Sequence, residues 1–121
     1  MSKRILVVED HEDNRQILRD LLASACYDMI EAENGEAGVA AAAAKHPDLI
    51  LMDIQLPILD GYEATRRIKA NPALKAIPII VVTSYALSGD EDKARTAGCD
   101  AYIPKPYSPR LLLARIREFL D

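Results

Sequence analysis

The chain has 121 residues, of which 50% are hydrophobic and 28% are charged, and its formal net charge is −4. This length and composition exclude a disordered chain and predict one domain that buries about two-thirds of its surface. The acidic balance argues against direct binding of nucleic acid. No apolar run approaches the ~20 residues of a membrane span, and the first residues lack a signal peptide's cleavage region. We expect a single cytoplasmic domain over residues 1–121, with no second domain and no membrane contact.

Charged residues and cysteines are distributed unevenly along the chain. Residues 1–60 contain 12 acidic and 5 basic side chains, whereas residues 61–121 contain 7 acidic and 10 basic ones. We therefore expect charges from the two halves to meet in the fold. Cys26 and Cys99 are far apart in sequence, and we expect two buried thiols rather than a disulfide or a metal site.

The first half of the chain alternates apolar runs with helical patterns. Residues 5–8 form a continuous apolar run, which is typical of a strand buried on both faces of a parallel sheet. An apolar stripe at residues 17–25 predicts a helix, and residues 27–32 are a weaker strand candidate. Residues 34–45 begin with an asparagine suited to cap a helix. Residues 49–52 are again continuously apolar and predict a further strand.

The second half continues the alternation. Residues 62–70 predict a helix with its basic side chains outward, and residues 77–82 predict a buried strand. Residues 88–97 contain few apolar side chains and predict a weakly anchored helix, which would be the easiest to displace. Residues 100–103 are a short strand candidate, and a serine-proline pair begins a last helix at residues 108–120.

This order of elements is a (βα)₅ pattern. Strict alternation of strands and helices predicts an α/β fold with a five-stranded parallel sheet, right-handed crossovers and helices on both faces. The expected architecture is therefore a doubly wound three-layer sandwich.

Acidic and polar side chains stand at the ends of four predicted strands. Glu9 and Asp10 follow the first strand, and Asp53 follows the third. Thr83 ends the fourth strand, and the fifth leads into Lys105. Because ligands of open parallel sheets bind at the carboxyl ends of the strands, we expect these five residues to converge on one site.

The three carboxylates indicate a metal site. Carboxylates at one sheet edge repel one another, and a hard divalent cation removes the conflict. We therefore predict that Glu9, Asp10 and Asp53 bind Mg²⁺. Asp53 follows a wholly apolar strand and is the best candidate for a nucleophile that forms an aspartyl phosphate. Lys105 and Thr83 are expected to bind the oxygens of the phosphoryl group.

A wider set of motifs has family-specific spacing. It comprises Glu9-Asp10, the stretch from Asp53 through Leu56-Pro57 to Asp60-Gly61, Thr83 thirty residues after Asp53, and Lys105-Pro106 twenty-two residues later. Over essentially the whole chain, these motifs resemble the receiver domain of two-component response regulators. Residues 7–10, 48–57 and 98–102 resemble in particular the single-domain regulators of the DivK type.

The resemblance implies a flavodoxin-like fold of the chemotaxis-receiver kind and a phosphoacceptor role for Asp53. The phosphoryl donor would be a sensor histidine kinase or a histidine phosphotransfer protein. The resemblance also implies Mg²⁺, for which Mn²⁺ can substitute, held by Glu9, Asp10, Asp53 and the backbone carbonyl of Gln55.

Further residue roles follow from the same resemblance. Thr83 and Lys105 would bind the phosphoryl group, and Thr83 and Tyr102 would form a switch pair. The Lys105-Pro106 peptide bond is expected to be cis. Output would reach a downstream protein through the fourth helix, the fifth strand and the last helix, from a monomer or weak homodimer.

Three positions depart from the commonest pattern of the family. Glu9 stands where many relatives carry aspartate, so its contact with the metal is expected to run through water. Gln55 and Tyr85 occupy the two variable positions that tune the lifetime of the phosphorylated state.

Other functions remain open at this point. A Mg²⁺-dependent phosphohydrolase with an aspartyl phosphate usually needs a second aspartate two residues after the nucleophile, where this chain has Gln55. A flavodoxin-like cofactor carrier needs a neutral phosphate-binding loop after the first strand, where this chain is acidic. The third alternative is a receiver-fold scaffold without phosphorylation. The expected role is a phosphoacceptor switch rather than an enzyme.

Overall fold

The fold is seen in a computed structural model that describes residues 3–83, 90–105 and 107–120. Tyr85, Pro106 and the predicted helix start at Ser88 lie outside these ranges. The elements follow one another as β1 (Arg4–Val8), α1 (Glu12–Ser24), β2 (Asp28–Ala32), α2 (Gly35–Lys45), β3 (Leu49–Asp53), α3 (Gly61–Ala70), β4 (Ile79–Thr83), α4 (Asp90–Ala97), β5 (Ala101–Pro104) and α5 (Pro109–Leu120).

The five strands form one parallel sheet in the order β2-β1-β3-β4-β5. The predicted α/β fold class is thereby confirmed. β3 is the middle strand of the sheet, and all five of its residues are buried. Its last residue, Asp53, is therefore fixed at the centre of the sheet's carboxyl edge.

Side chains that alternate along the strands supply two apolar layers. In β1, Ile5 and Val7 face a cluster that contains Leu18 and Leu22 of α1 and Leu112 and Ile116 of α5. Side chains on the opposite face of the sheet pack with α2, α3 and α4, in a cluster that includes Leu6, Val8, Ala42, Ala64, Ile68 and Ala94. The two layers bury both faces of the sheet, as continuous apolar strands require.

α1 makes a narrower apolar contact than its sequence indicates. Leu18 and Leu22 are buried four residues apart, but Ile17 is 58% exposed. Since successive residues of a helix are about 100° apart, Ile17 lies beside the buried stripe rather than within it.

The two cysteines are free thiols, and the expectation that both are buried is wrong. Cys26 is exposed, and Cys99 is half-buried. Cys26 has φ +66° and is the second residue after the end of α1, where its N–H and that of Tyr27 close the helix on the carbonyls of Ala23 and Leu22. This helix ending turns the Cys26 side chain toward solvent.

α3 begins close to the end of β3. Asp60 caps the helix by accepting a hydrogen bond from the N–H of Glu63 at 2.9 Å. A Cβ on Gly61 would lie 2.0 Å from the carbonyl oxygen of Asp53, so only glycine allows this approach. The loop after Asp53 is thus held against the strand end by the start of α3.

The helices of the described ranges contain at most 13 residues, and none of them is long and apolar enough to cross a membrane.

Candidate functional site

Three carboxylates meet at the carboxyl edge of the sheet. Glu9 and Asp10 follow β1, Asp53 ends β3, and these two strands are neighbours. One oxygen of each carboxylate lies within 4.8 Å of those of the other two. Glu9 and Asp53 are only 3% and 8% exposed, and Asp10 is half-buried. The structure therefore brings the three predicted carboxylates together at this edge.

Two oxygens of this cluster lack a donor. Glu9 Oε2 and Asp10 Oδ1 are buried and accept no hydrogen bond from any residue in the described ranges. Leaving a buried acceptor unpaired costs on the order of 1–3 kcal/mol. The cluster therefore combines three close carboxylates with buried oxygens that lack a donor, which suits a hard divalent cation such as Mg²⁺.

The pKa of Glu9 also indicates that the cluster has too little positive charge around it. Burial, followed by the neighbouring Asp53 carboxyl, raises the pKa of Glu9 from 4.5 to about 7. Asn14 and Lys105 act in the opposite direction but do not cancel the effect of burial. A cation among these carboxylates would favour their charged forms.

Lys105 brings a positive charge to the cluster from the other half of the chain. Its Nζ lies 3.5 Å from Asp53 Oδ2 and 3.9 Å from Glu9 Oε2. Its backbone N–H donates to the carbonyl oxygen of Thr83 at 2.6 Å. The segment after β5 is therefore tied to the end of β4, which keeps the ammonium group near Asp53.

The other predicted site residues occupy different places. Thr83 is fully buried at the end of β4, beside the strand that ends in Asp53. Gln55 is exposed, and its N–H donates to Asp53 Oδ1 at 3.4 Å. Tyr102 lies on β5 and packs with the layer of α2, α3 and α4. Tyr85 lies outside the described residues, as does Pro106 with its expected cis bond.

Tyr107 lies on the opposite side of the sheet from Tyr102. It packs with the layer of α1 and α5 and lines a cavity of about 510 Å³. Glu9, Asp53 and Lys105 also line this cavity, together with mainly apolar side chains. Burial, followed by the charges of Glu9 and Asp53, raises the pKa of the Tyr107 phenol, so the group stays neutral beside the carboxylates.

Asn14 and Arg15 both contact Glu9, and neither was predicted from the sequence to belong to the site. Asn14 Nδ2 donates to Glu9 Oε1 at 2.5 Å, and Arg15 donates to the Glu9 carbonyl oxygen at 2.8 Å. Both residues lie in the first turns of α1, where polar side chains are usually solvated. The only local signal was the spacing of Glu12 and Arg15, which suits a helical ion pair.

The fold and the acidic edge together define a class of protein. Residues 5–117 match the family model described as the response regulator receiver domain. The chain belongs to this family.

Individual relatives agree with that assignment. The chain is 42% identical over 120 residues to the polar-differentiation response regulator DivK of Brucella ovis, covering 99% of this chain and 98% of that protein. Among solved structures, it is similar to the receiver domain of sensor histidine kinase PA1611 from Pseudomonas aeruginosa PAO1, with 35% identity, TM-score 0.92 and coverage of 99% and 98%. That structure holds a magnesium ion coordinated in the active site cleft. A CheY-like receiver domain protein from Methanospirillum hungatei is also 35% identical, with TM-score 0.91 and coverage of 100% and 95%.

Proposed function

We propose that Asp53 is the phosphoacceptor of this receiver domain. The observation that carries the proposal is the position of Asp53, which is buried at the end of the central strand with Lys105 Nζ 3.5 Å from its Oδ2. A strand buried on both faces keeps the carboxylate in one orientation. The adjacent ammonium group would bind the oxygens of an incoming phosphoryl group.

The proposed reaction transfers a phosphoryl group without any other change in bonding. An oxygen of the Asp53 carboxylate attacks phosphorus, and the bond from phosphorus to the donor's nitrogen or oxygen breaks as the new O–P bond forms. The donor would be a phosphorylated histidine of a sensor histidine kinase or phosphotransfer protein. Thr83 and Lys105 would hold the phosphoryl oxygens.

The proposed metal ligands are Glu9, Asp10, Asp53 and the backbone carbonyl of Gln55. Support comes from the free oxygens of the cluster and from the magnesium ion in the related receiver structure. When bound, Mg²⁺ would neutralise negative charge on the transferring group. Mn²⁺ prefers similar oxygen ligands and is expected to substitute.

The test of the phosphoacceptor is labelling with acetyl phosphate and Mg²⁺, followed by intact-protein mass spectrometry. The wild-type chain should gain one phosphoryl group, and Asp53→Asn should gain none. Asp20→Asn is the matched control, because Asp20 is an exposed aspartate on α1. Labelling of Asp53→Asn to the wild-type level would refute the assignment.

The proposed output is a change in protein–protein contact rather than turnover of a substrate. Membership of the receiver family supports a switch, and Gln55 occupies the position where an aspartyl-phosphate hydrolase needs an acid. Tyr85 and Gln55 would tune the lifetime of the phosphorylated state. Thr83 and Tyr102 would transmit the change to the face formed by α4, β5 and α5, which would dock a downstream protein.

The proposed setting is a cytoplasmic receiver that acts without its own output domain, as a monomer or weak homodimer. The DivK relative, which is matched over 98% of its length, supports the single receiver domain. The acidic net charge supports a protein target rather than nucleic acid.

A further inference from the structure

Glu9 is held at three of its four polar atoms. Its N–H donates to the carbonyl oxygen of Ala32 at 3.0 Å. Its carbonyl oxygen accepts from Arg15, and its Oε1 accepts from Asn14. Oε2 alone accepts no hydrogen bond among the described residues, and this atom lies near Lys105 and the other acids.

The backbone of Glu9 is anchored by a buried arginine, Arg15, whose carboxylate partners are partly or largely exposed. Arg15 is 6% exposed and also contacts three carboxylates at 2.6, 3.3 and 3.5 Å, those of Glu12, Glu31 and Glu33. Since Glu31 lies on β2 and Glu33 directly follows it, the arginine ties α1 to two neighbouring strand ends. The carbonyl that Arg15 binds is therefore fixed, and the direction of the Glu9 side chain is decided by its carboxylate contacts.

Asn14 decides which carboxylate oxygen is free. Its amide N–H occupies Oε1 from the α1 side, and the other oxygen, Oε2, lies 3.9 Å from Lys105 Nζ, which is itself 3.5 Å from Asp53 Oδ2. An aspartate at position 9 would be one methylene shorter and would not reach this amide in the same backbone position. The pairing thus suits glutamate, the residue by which this chain departs from the commonest pattern.

We propose that Asn14 is a positioning residue that holds Glu9 Oε1 and presents Oε2 as the single oxygen that Glu9 offers to the cation, directly or through one water. The inference rests on the metal site of the proposed function and adds a residue outside it. Residues that orient metal ligands typically change metal affinity by 10–100-fold when they are removed.

The first test compares Mg²⁺ affinity by isothermal titration calorimetry, without any phosphoryl donor. Asn14→Ala should bind Mg²⁺ about 10-fold more weakly than the wild-type chain. Gln16→Ala is the control, since Gln16 is an exposed amide of the same helix that donates to Asp20 at 3.0 Å. Its affinity should stay within about twofold of wild type. Thermal unfolding of each variant shows that the compared proteins are folded.

The second test is a double-mutant cycle that separates positioning from general loss of structure. In a Glu9→Asp background, Asn14 has no partner of the right length, and Asn14→Ala should then change the Mg²⁺ affinity by less than about twofold. An equal loss of affinity in both backgrounds would overturn the inference, as would an unchanged affinity of Asn14→Ala itself.

The outcome is distinguishable from failure of the proposed function. If the wild-type chain binds Mg²⁺ and Asn14→Ala binds it with unchanged affinity, only the role of Asn14 is contradicted. Failure of the wild-type chain to bind Mg²⁺ contradicts the metal site and the inference together, whereas the labelling of Asp53 tests the phosphoacceptor separately.

Discussion

The charge state of Glu9 is strongly coupled to the fold. Its carboxyl is 3% exposed and has a pKa of about 7, raised by burial and then by Asp53. The unfolded chain releases this proton near pH 4.5, so the native state holds more protons between pH 4.5 and about 7. Without metal, the contribution of Glu9 to the free energy of unfolding is greatest at low pH and falls as the pH rises through this window.

This coupling predicts a pH dependence that Glu9→Gln removes. The wild-type chain in a chelating buffer should lose on the order of 2–3 kcal/mol relative to Glu9→Gln as the pH rises from 4.5 to above 7. Urea unfolding of both proteins across this range measures the difference. Parallel curves for the two proteins would contradict the buried, proton-holding state of Glu9.

The residues at this site differ in how far sequence revealed them. Asp53 was recognisable because a wholly apolar run ends in one acid, and Glu9 and Asp10 because parallel strands end at a common edge. The contacts of Asn14 and Arg15 were not recognisable from the sequence, because they depend on side-chain conformation and on partners up to 18 residues away. Local periodicity carries no information about such pairs.

Elements show a similar division between apolar pattern and long-range contact. β3 was predicted almost to its end because continuous apolar residues mark a buried strand. The exposure of Ile17 on α1 was not predicted from its apolar pattern. The basic face of α3 was expected to be solvated, but Lys69 donates to the carbonyl oxygens of Lys75 and Ile77 and pairs with Asp100 at 2.8 Å. That contact requires the fold to bring α3 beside the loop before β5.

At the scale of elements, Arg15 joins α1 to β1 and β2, and Arg15→Lys tests the strength of that connection. A lysine keeps the charge but lacks the planar group that serves a carbonyl and several carboxylates at once. The expected cost is about 1–3 kcal/mol of unfolding free energy.

Arg19→Lys is the matched control for this substitution. Arg19 lies on the same helix as Arg15 and pairs with Glu12 and Glu31. Its side chain is 34% exposed, against 8% for Arg15. Exposed pairs contribute little, so a loss within about 0.5 kcal/mol is expected. Urea unfolding at neutral pH gives both values, and equal losses would contradict the special position of Arg15.

For the molecule as a whole, we predict that Mg²⁺ stabilises the folded chain. The unfolded chain does not hold Glu9, Asp10 and Asp53 together, so the ion binds the native state and adds about 2.7 kcal/mol at 100 times its dissociation constant. Thermal unfolding should show a rise of several degrees.

The control for this prediction is sodium chloride at the same ionic strength, which screens charge without filling the site. Asp53→Asn should show a smaller shift with Mg²⁺ than the wild-type chain. A shift of equal size with either salt would indicate screening instead of a metal site.

The two outer strands of the sheet also bear on how the protein behaves at high concentration. Within the part of the chain that the structure describes, each outer strand has one side without a strand partner, which is a template on which a second chain can add in amyloid-like fashion. β2 begins with the exposed acid Asp28, and β5 is four residues long and ends in Pro104, which has no N–H to donate. The charge on β2, and the short length and the proline of β5, oppose such addition. The chain is therefore suited to remain dispersed where many copies are present.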